Sequence, residues 1–334
     1  MGASVDPNQP LDVRAFGIAF AIVAGLAAAL ALGCGAYARP VRSWLFPRWV
    51  HPVIPWNGFA IVAVFILSQL ALEVGTQFVV SRGHYSTFEP DTTRLLSSLA
   101  ARIIITPVFF ALLTWALALI FQSVRIPTAK QIAGWIALGA FAWFLIAPVT
   151  LAIHAITLLV KQELGGPMDV HPLSKVHPTN DGFGGGIFLV AICVMASWIE
   201  EYFFRGLLLP WVVRASYRPW LLVAWAFGFA LDLLRAFNDP HYSAVLFVAT
   251  GAVLLWLCQT LPKTKPKRTI LGVVSTSLLF AAVHSSVWPS PVPLFFLALG
   301  LGFLTARTGS IIPAVVVHGL FNGVSFVYLL RGPV

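Results

Sequence analysis

The chain has 334 residues, of which 59% are hydrophobic and only 10% charged, against roughly 45–50% and 25% in an ordinary soluble domain. This composition excludes a water-soluble globule, and at about 20 apolar residues per bilayer crossing the length accommodates a polytopic membrane protein with short connections. The net charge of +9 does not point to nucleic acid, because the 21 Lys and Arg residues lie mostly in short clusters between apolar runs, where membrane topology accounts for them.

The first apolar run, Phe16 to Tyr37, follows Arg14 and ends in Ala-Leu-Gly-Cys at 31–34, a pattern shared with lipoprotein signals. The run is too long for a signal core and is followed by Arg39, Arg42 and Arg48, so it reads as a spanning helix. Met1-Gly2 lacks the Ser or Thr that a myristoylation site needs at position 6, where Asp6 stands. Runs long enough to span follow at 56–80, 100–122, 132–160, 185–211, 219–236, 242–261, 269–288, 291–307 and 311–330. The expected fold class is therefore all-α, a transmembrane bundle of about eight to ten helices. Basic loops alternate along this path: Arg39 to Arg48, Arg125 with Lys130, Arg214 with Arg218, and Lys263 to Arg268. That alternation places these loops in the cytoplasm and the amino terminus outside.

The polar stretch at 161–184 holds His171-Pro, His177-Pro and the start of a glycine-rich run, Gly182-Phe-Gly-Gly-Gly186. No strand precedes the glycines, so they read as a flexible approach to the next helix rather than a phosphate cradle. This non-cytoplasmic loop divides the chain into an N-terminal transmembrane region, 1–160, of unknown role, and a C-terminal domain, 185–330, rich in ionisable groups. Cys34, Cys193 and Cys258 all fall in apolar runs and carry neither a disulfide nor a zinc spacing.

A charge at mid-bilayer costs a few kcal/mol on the most lenient scale, which makes each intramembrane charge a functional candidate. The segment Ala196-Ser-Trp-Ile-Glu-Glu-Tyr-Phe-Phe-Arg-Gly206 places Glu200, Glu201 and Arg205 in one apolar helix. Glu201 and Arg205 are four apart and form a pair on one face, suited to a forked guanidinium. Glu200 is turned about 100° away, without a helix-local partner, and is free to act as a base. His284 lies deep in the run 269–288, and His318 and Asn322 share a face of the last helix. Counted from the basic loops, Glu200, His284 and His318 lie about 16, 22 and 10 Å deep, close enough to share a cavity. Glu73, His154 and the Asp232–Arg235 pair are further intramembrane polar groups, of which Glu73 is the best outlier.

Glu-Glu-x-x-x-Arg at 200–205, Phe-x-x-x-His at 280–284 and His-x-x-x-Asn at 318–322, in this order and each within a span, resemble the three motifs of the CAAX-protease and bacteriocin-processing (CPBP, or Abi) family of intramembrane endopeptidases. The resemblance covers about residues 185–330. It implies a helical membrane protease in which Glu200 and His284 activate a water, His318 and Asn322 polarise the scissile carbonyl, and Glu201 and Arg205 support the site. It further implies a protein or peptide substrate at the membrane and, for a bacterial member, residence in the cytoplasmic (inner) membrane. No cofactor is expected. A competing arrangement is a zinc site on Glu200, His284 and His318 with an open position, and a different class of function is a proton-coupled transporter using the same groups as a relay. An amide one turn from His318 suits a hydrolytic site, which needs non-titrating donors, better than a relay.

Overall fold

The structure, a computed structural model, describes residues 58–81, most of 97–113, 127–163, 186, 189–213, 265–284 and 289–330. These residues are helical apart from short turns, and no strand occurs among them. The runs expected at 16–38, 219–236 and 242–261, the loop motifs between 164 and 185, and the Asp232–Arg235 pair lie outside the described residues.

Helix α1 is Gly58–Ser81, α2 is Ala129–Glu163, α6 is Pro291–Thr308 and α7 is Ile312–Leu330. Their ends lie within three residues of those read from the apolar runs. Helix α5, Lys265–Ala282, differs: it starts earlier than expected, and it stops six residues short of 288. The reason is a tightening of its last turn, where His284 N–H bonds Ala281 O three residues back at 3.0 Å, as frayed helix ends do. Helix α6 opens with Pro291 in its first turn and closes on Gly309, whose left-handed φ of 68° and N–H bond to Thr305 O at 2.8 Å cap the end.

Between Val190 and Val213 the chain is helical but not uniformly α. A π-helical turn at Val190–Ala196 leads into the short α3, Ser197–Glu201, then a second π-helical stretch, Tyr202–Leu208, and α4, Leu209–Val213. The paired glutamates thus sit on the one α-helical turn between two widened segments, a feature frequent at functional sites.

Helix α7 packs mainly on α2 and on the first π-helical turn, and α5 packs on α6 and α4. Small residues permit the close approaches expected of helices that associate in lipid. A Cβ on Gly139 would lie 2.7 Å from Pro313 O, and one on Gly319 would lie 2.5 Å from Cys193 O. Among the described residues four apolar clusters fill the interior, of which two are the largest. One joins Ile61, Phe204, Leu208, Trp211, Phe280 and Ala298, and the other joins Leu138, Leu297, Leu301, Ala314 and Val317. The buried hydroxyls of Thr276 and Ser277 bond carbonyls one turn back in their own helix, Gly272 O and Val273 O. Among the described residues, Ala129–Lys161 and Pro291–Thr308 are long and apolar enough to cross a membrane.

Candidate active site

The site forms where α3, the end of α5 and the middle of α7 meet, roofed by α6. Arg205 and Glu201 are among the most completely buried side chains, at 1% and 0% exposure. Arg205 Nη1 donates to Glu201 Oε1 at 3.0 Å, which realises the i,i+4 pair. The fork is not closed on Glu201, however. Its second arm, Nη2, donates to Ala298 O of α6 at 3.2 Å, and the guanidinium carbon stands 4.6 Å from the centre of the Phe280 ring. A buried cation is thereby shared among a carboxylate, a carbonyl and an aromatic face on three elements, each of which compensates part of its lost hydration.

Glu201 Oε1 has a second donor: His318 Nδ1, 2.8 Å away and 117 residues distant in sequence. The carboxylate therefore fixes the ring of His318 and directs Nε2 to the opposite side, where it lies 3.8 Å from Glu200 Oε2. His284 is fixed differently. Its Nδ1 is 2.7 Å from Phe280 O, one turn back on its own chain, and a carbonyl can only accept, so Nδ1 carries the hydrogen. Its Nε2 then presents a lone pair 3.9 Å from the same Glu200 Oε2.

Two imidazole nitrogens from two helices thus converge on one carboxylate oxygen from a third. Separations of 3.8 and 3.9 Å exceed a direct hydrogen bond, so the three groups surround a position instead of filling it. Glu200 and His284 keep about 28% and 33% side-chain exposure, whereas His318 keeps 4%. The position is open on the Glu200–His284 side and closed on the His318 side. The aromatic wall is Phe280, fully buried, with its ring 4.8 Å from that of His284 and 5.7 Å, edge to face, from that of His318.

Asn322 is one turn beyond His318 on α7, and its amide bonds to the neighbouring helical segment. Nδ2 donates to Ile192 O and to Ser197 Oγ, both at 3.2 Å. These contacts tie the amide to the segment that carries the paired glutamates. Ser197, wholly buried, was given no role by sequence reasoning; its position one turn before Glu201 is the signal that would have marked it.

Of the other polar groups, Glu73 is exposed on α1, where its Oε1 accepts from Gln77 Nε2 at 2.8 Å. His154 lies within α2. Among the described residues no set of three or more His, Cys, Asp or Glu is arranged to hold a metal ion. The Nδ1 partners of the two histidines, a carboxylate and a carbonyl, are of the kind that orient zinc-bound imidazoles, and among the described residues Glu200 supplies the one carboxylate facing both Nε2 atoms.

Comparison with known proteins bears on the same helices. Residues 252–324 match the family model described as type II CAAX prenyl endopeptidase Rce1-like. The matched stretch carries Phe280, His284, His318 and Asn322, and the helix of Glu200, Glu201 and Arg205 precedes it. No curated protein and no solved structure matches the chain. The match supports a CPBP, or CAAX-protease, family assignment for this part of the chain.

Proposed function

We propose that the chain is an intramembrane endopeptidase that hydrolyses a peptide bond of a membrane-associated or lipid-anchored protein with a water activated by Glu200 and His284. The observation that carries this reading is the convergence of His284 Nε2 and His318 Nε2 on Glu200 Oε2 at 3.9 and 3.8 Å. A water at that position reaches both Glu200 and the lone pair of His284. As its oxygen attacks the scissile carbonyl carbon, its proton passes to Glu200, a general base within hydrogen-bond reach. The carbonyl oxygen becomes an oxyanion, and the C–N bond breaks as Glu200 returns the proton to the leaving amine.

The two histidines take different parts because their Nδ1 partners differ. His284 faces a neutral carbonyl and stays an acceptor for the water. His318 is held at Nδ1 by the Glu201 carboxylate, which would compensate charge developing on the ring as its Nε2 faces the oxyanion. Glu201 thus holds His318 as a buried carboxylate holds the imidazole of a hydrolase triad, and Arg205 holds Glu201.

In this reading the bundle is polytopic, with about eight to ten spans, and residues 185–330 form its catalytic part. The N-terminal region would contribute support, since α2 packs on α6 and α7 and Ile61 of α1 joins the cluster around Phe280. The outward faces of α1 and α2, with Leu67, Leu70, Val74, Phe144 and Val149 exposed, suit lipid contact. The cytoplasmic membrane of a bacterium is the proposed location, and a protein or peptide at that membrane the proposed substrate. The family match gives the transport alternative no support. Catalysis is proposed to need no metal; a zinc ion on Glu200, His284 and His318 would be the alternative form of the same protease.

The test compares the termini of membrane proteins in host cells carrying the native chain and Glu200→Gln. Membrane proteins that accumulate uncleaved only with Glu200→Gln support the reading. Identical termini in both, with the variant folded and present at native levels, would overturn it.

A further inference from the structure

The Glu201–Arg205 pair draws on two other helices at once: His318 Nδ1 of α7 reaches Glu201 Oε1 at 2.8 Å, and Ala298 O of α6 receives Arg205 Nη2 at 3.2 Å. Both contacts hold only while α6 and α7 keep one position relative to each other. These two helices pack on each other less extensively than either packs on α2, a helix of the N-terminal region. Leu297 and Val317, the residues immediately before Ala298 and His318, are fully buried and meet in one cluster with Leu138 and Ala142 of α2. Two close approaches seat α2 on the pair. A Cβ on Gly139 would lie 2.7 Å from Pro313 O and 2.8 Å from Val316 Cβ of α7, and one on Gly300 of α6 would lie 2.9 Å from Ile146 Cδ1. Gly139 and Ile146 are seven apart, hence on one face of α2.

We infer that α2 is a brace for the reaction, with Gly139 and Ile146 as positioning residues: Gly139 seats α7, Ile146 seats α6, and together they hold His318 and Ala298 O on the buried Glu201–Arg205 pair. The N-terminal region thereby takes part in catalysis through packing. Each seat lies two residues from the contact it serves, Val316 from His318 on α7 and Gly300 from Ala298 on α6. Pushing α7 outward at Pro313 and Val316 draws His318 away from Glu201 Oε1. Pushing α6 outward at Gly300 draws Ala298 O away from Arg205 Nη2, and Arg205 in turn shifts Glu201. Either displacement turns the His318 ring relative to Glu200, and the interior is packed too closely to absorb it. Misplacement of about 1 Å in a catalytic group can cost about 10²-fold in rate.

This brace rests on the hydrolytic reading above, and its test separates the two. The full chain is purified as wild type, Gly139→Ala, Gly300→Ala, Ile146→Ala and the double variant of Gly300→Ala with Ile146→Ala. Gly134→Ala, at a position of α2 where nothing stands within 4 Å, is the control, and Glu200→Gln is the inactive reference. Cleavage of a quenched peptide carrying a prenylated Cys-a-a-X terminus gives kcat and KM. The proton NMR signal of His318 Nδ1–H, assigned by its loss in His318→Gln, reports the bond to Glu201 without turnover. The brace predicts that Gly139→Ala and Gly300→Ala each lower kcat by about 10-fold or more with KM little changed, and that Gly139→Ala shifts or abolishes the His318 signal. Clearing the Ile146 side chain from the path of the new methyl restores most of the rate in the double variant, a non-additive result. Gly134→Ala matches wild type in rate and signal.

Native kcat and an unmoved His318 signal in Gly139→Ala and Gly300→Ala, whatever their unfolding temperatures, would overturn the inference, since α2 would then supply stability alone. A double variant no faster than Gly300→Ala would overturn the part given to Ile146. If Glu200→Gln cleaves like wild type, or the peptide is not cleaved at all, the hydrolytic reading or the choice of peptide has failed, and the His318 signal decides on the brace. Moved by Gly139→Ala and not by Gly134→Ala, it upholds the brace; moved by both or by neither, it overturns it. Where Gly139→Ala fails to fold, Gly300→Ala, alone and with Ile146→Ala, carries the same comparison of rate and signal.

Discussion

His318 Nδ1 lies 2.8 Å from Glu201 Oε1, and the same oxygen receives Arg205 Nη1 at 3.0 Å. One carboxylate oxygen therefore serves two purposes. It neutralises a buried cation, and it aims an imidazole at Glu200. The adjacent glutamates divide the work along this line, since Glu201 is wholly buried and doubly engaged, while Glu200 faces the open side between the two Nε2 atoms.

Glu201→Gln is expected to lose stability and activity together. The amide keeps the shape but strands Arg205 as a buried, uncompensated charge, at a cost of about 3–5 kcal/mol, and it turns His318 loose. Thermal unfolding of the purified variant in detergent is the check. An unfolding temperature equal to that of wild type would show that the Arg205–Glu201–His318 chain is not an organising element.

Arg205→Lys should be damaging although the charge survives. A single ammonium cannot span Glu201 Oε1 and Ala298 O as the two Nη atoms do, and it loses the planar contact over the Phe280 ring. A clear drop in cleavage is expected, with a lower unfolding temperature. Normal values of both would contradict this account of the fork.

Gly319→Ala tests the seating of α7. The added methyl would meet a backbone carbonyl, Cys193 O, at 2.5 Å, so a helix and not a side chain must move. A loss of about 1–3 kcal/mol is expected, together with slower cleavage, because His318 is the neighbouring residue. Gly186→Ala, where nothing stands within 4 Å, is the control and should be silent in unfolding.

The topology proposed from the basic loops places Lys265 on the cytoplasmic side. A cysteine at 265, the first residue of α5, should react with an impermeant maleimide only from the cytoplasmic face of sealed vesicles. Reaction only from the outer face would invert the bundle.

The parts of this site that were legible in sequence are those encoded within one helix. The Glu201–Arg205 contact follows from i,i+4 spacing, and the ends of α2, α6 and α7 follow from the lengths of their apolar runs. Contacts between helices left no such trace. Ala298 O, the second acceptor for Arg205, is a backbone atom 93 residues away, and any side chain can carry it. The engagement of Asn322 by Ile192 O and Ser197 depends on the register of α7 against a π-helical turn, and the apolar sequence Val190–Ala196 gives no sign that its bonding widens there. Hydrophobicity also carried the expected span of α5 past its end, because Val283 and the residues after it suit a membrane as well as a helix. The structure shows instead that the turn at His284 swings its ring back onto Phe280 O.

The central claim, that Glu200 is the base of a hydrolytic site, is tested most directly by the cleavage rate of purified wild type and Glu200→Gln, each with and without a strong chelator, alongside metal analysis. The account predicts that Glu200→Gln abolishes cleavage at an unchanged unfolding temperature, because an amide keeps the shape and cannot take the proton, and that chelator leaves the wild-type rate unaltered. Undiminished cleavage by Glu200→Gln would contradict the assignment outright. One equivalent of zinc, lost and restored in step with activity, would contradict it in another way, by making Glu200, His284 and His318 ligands.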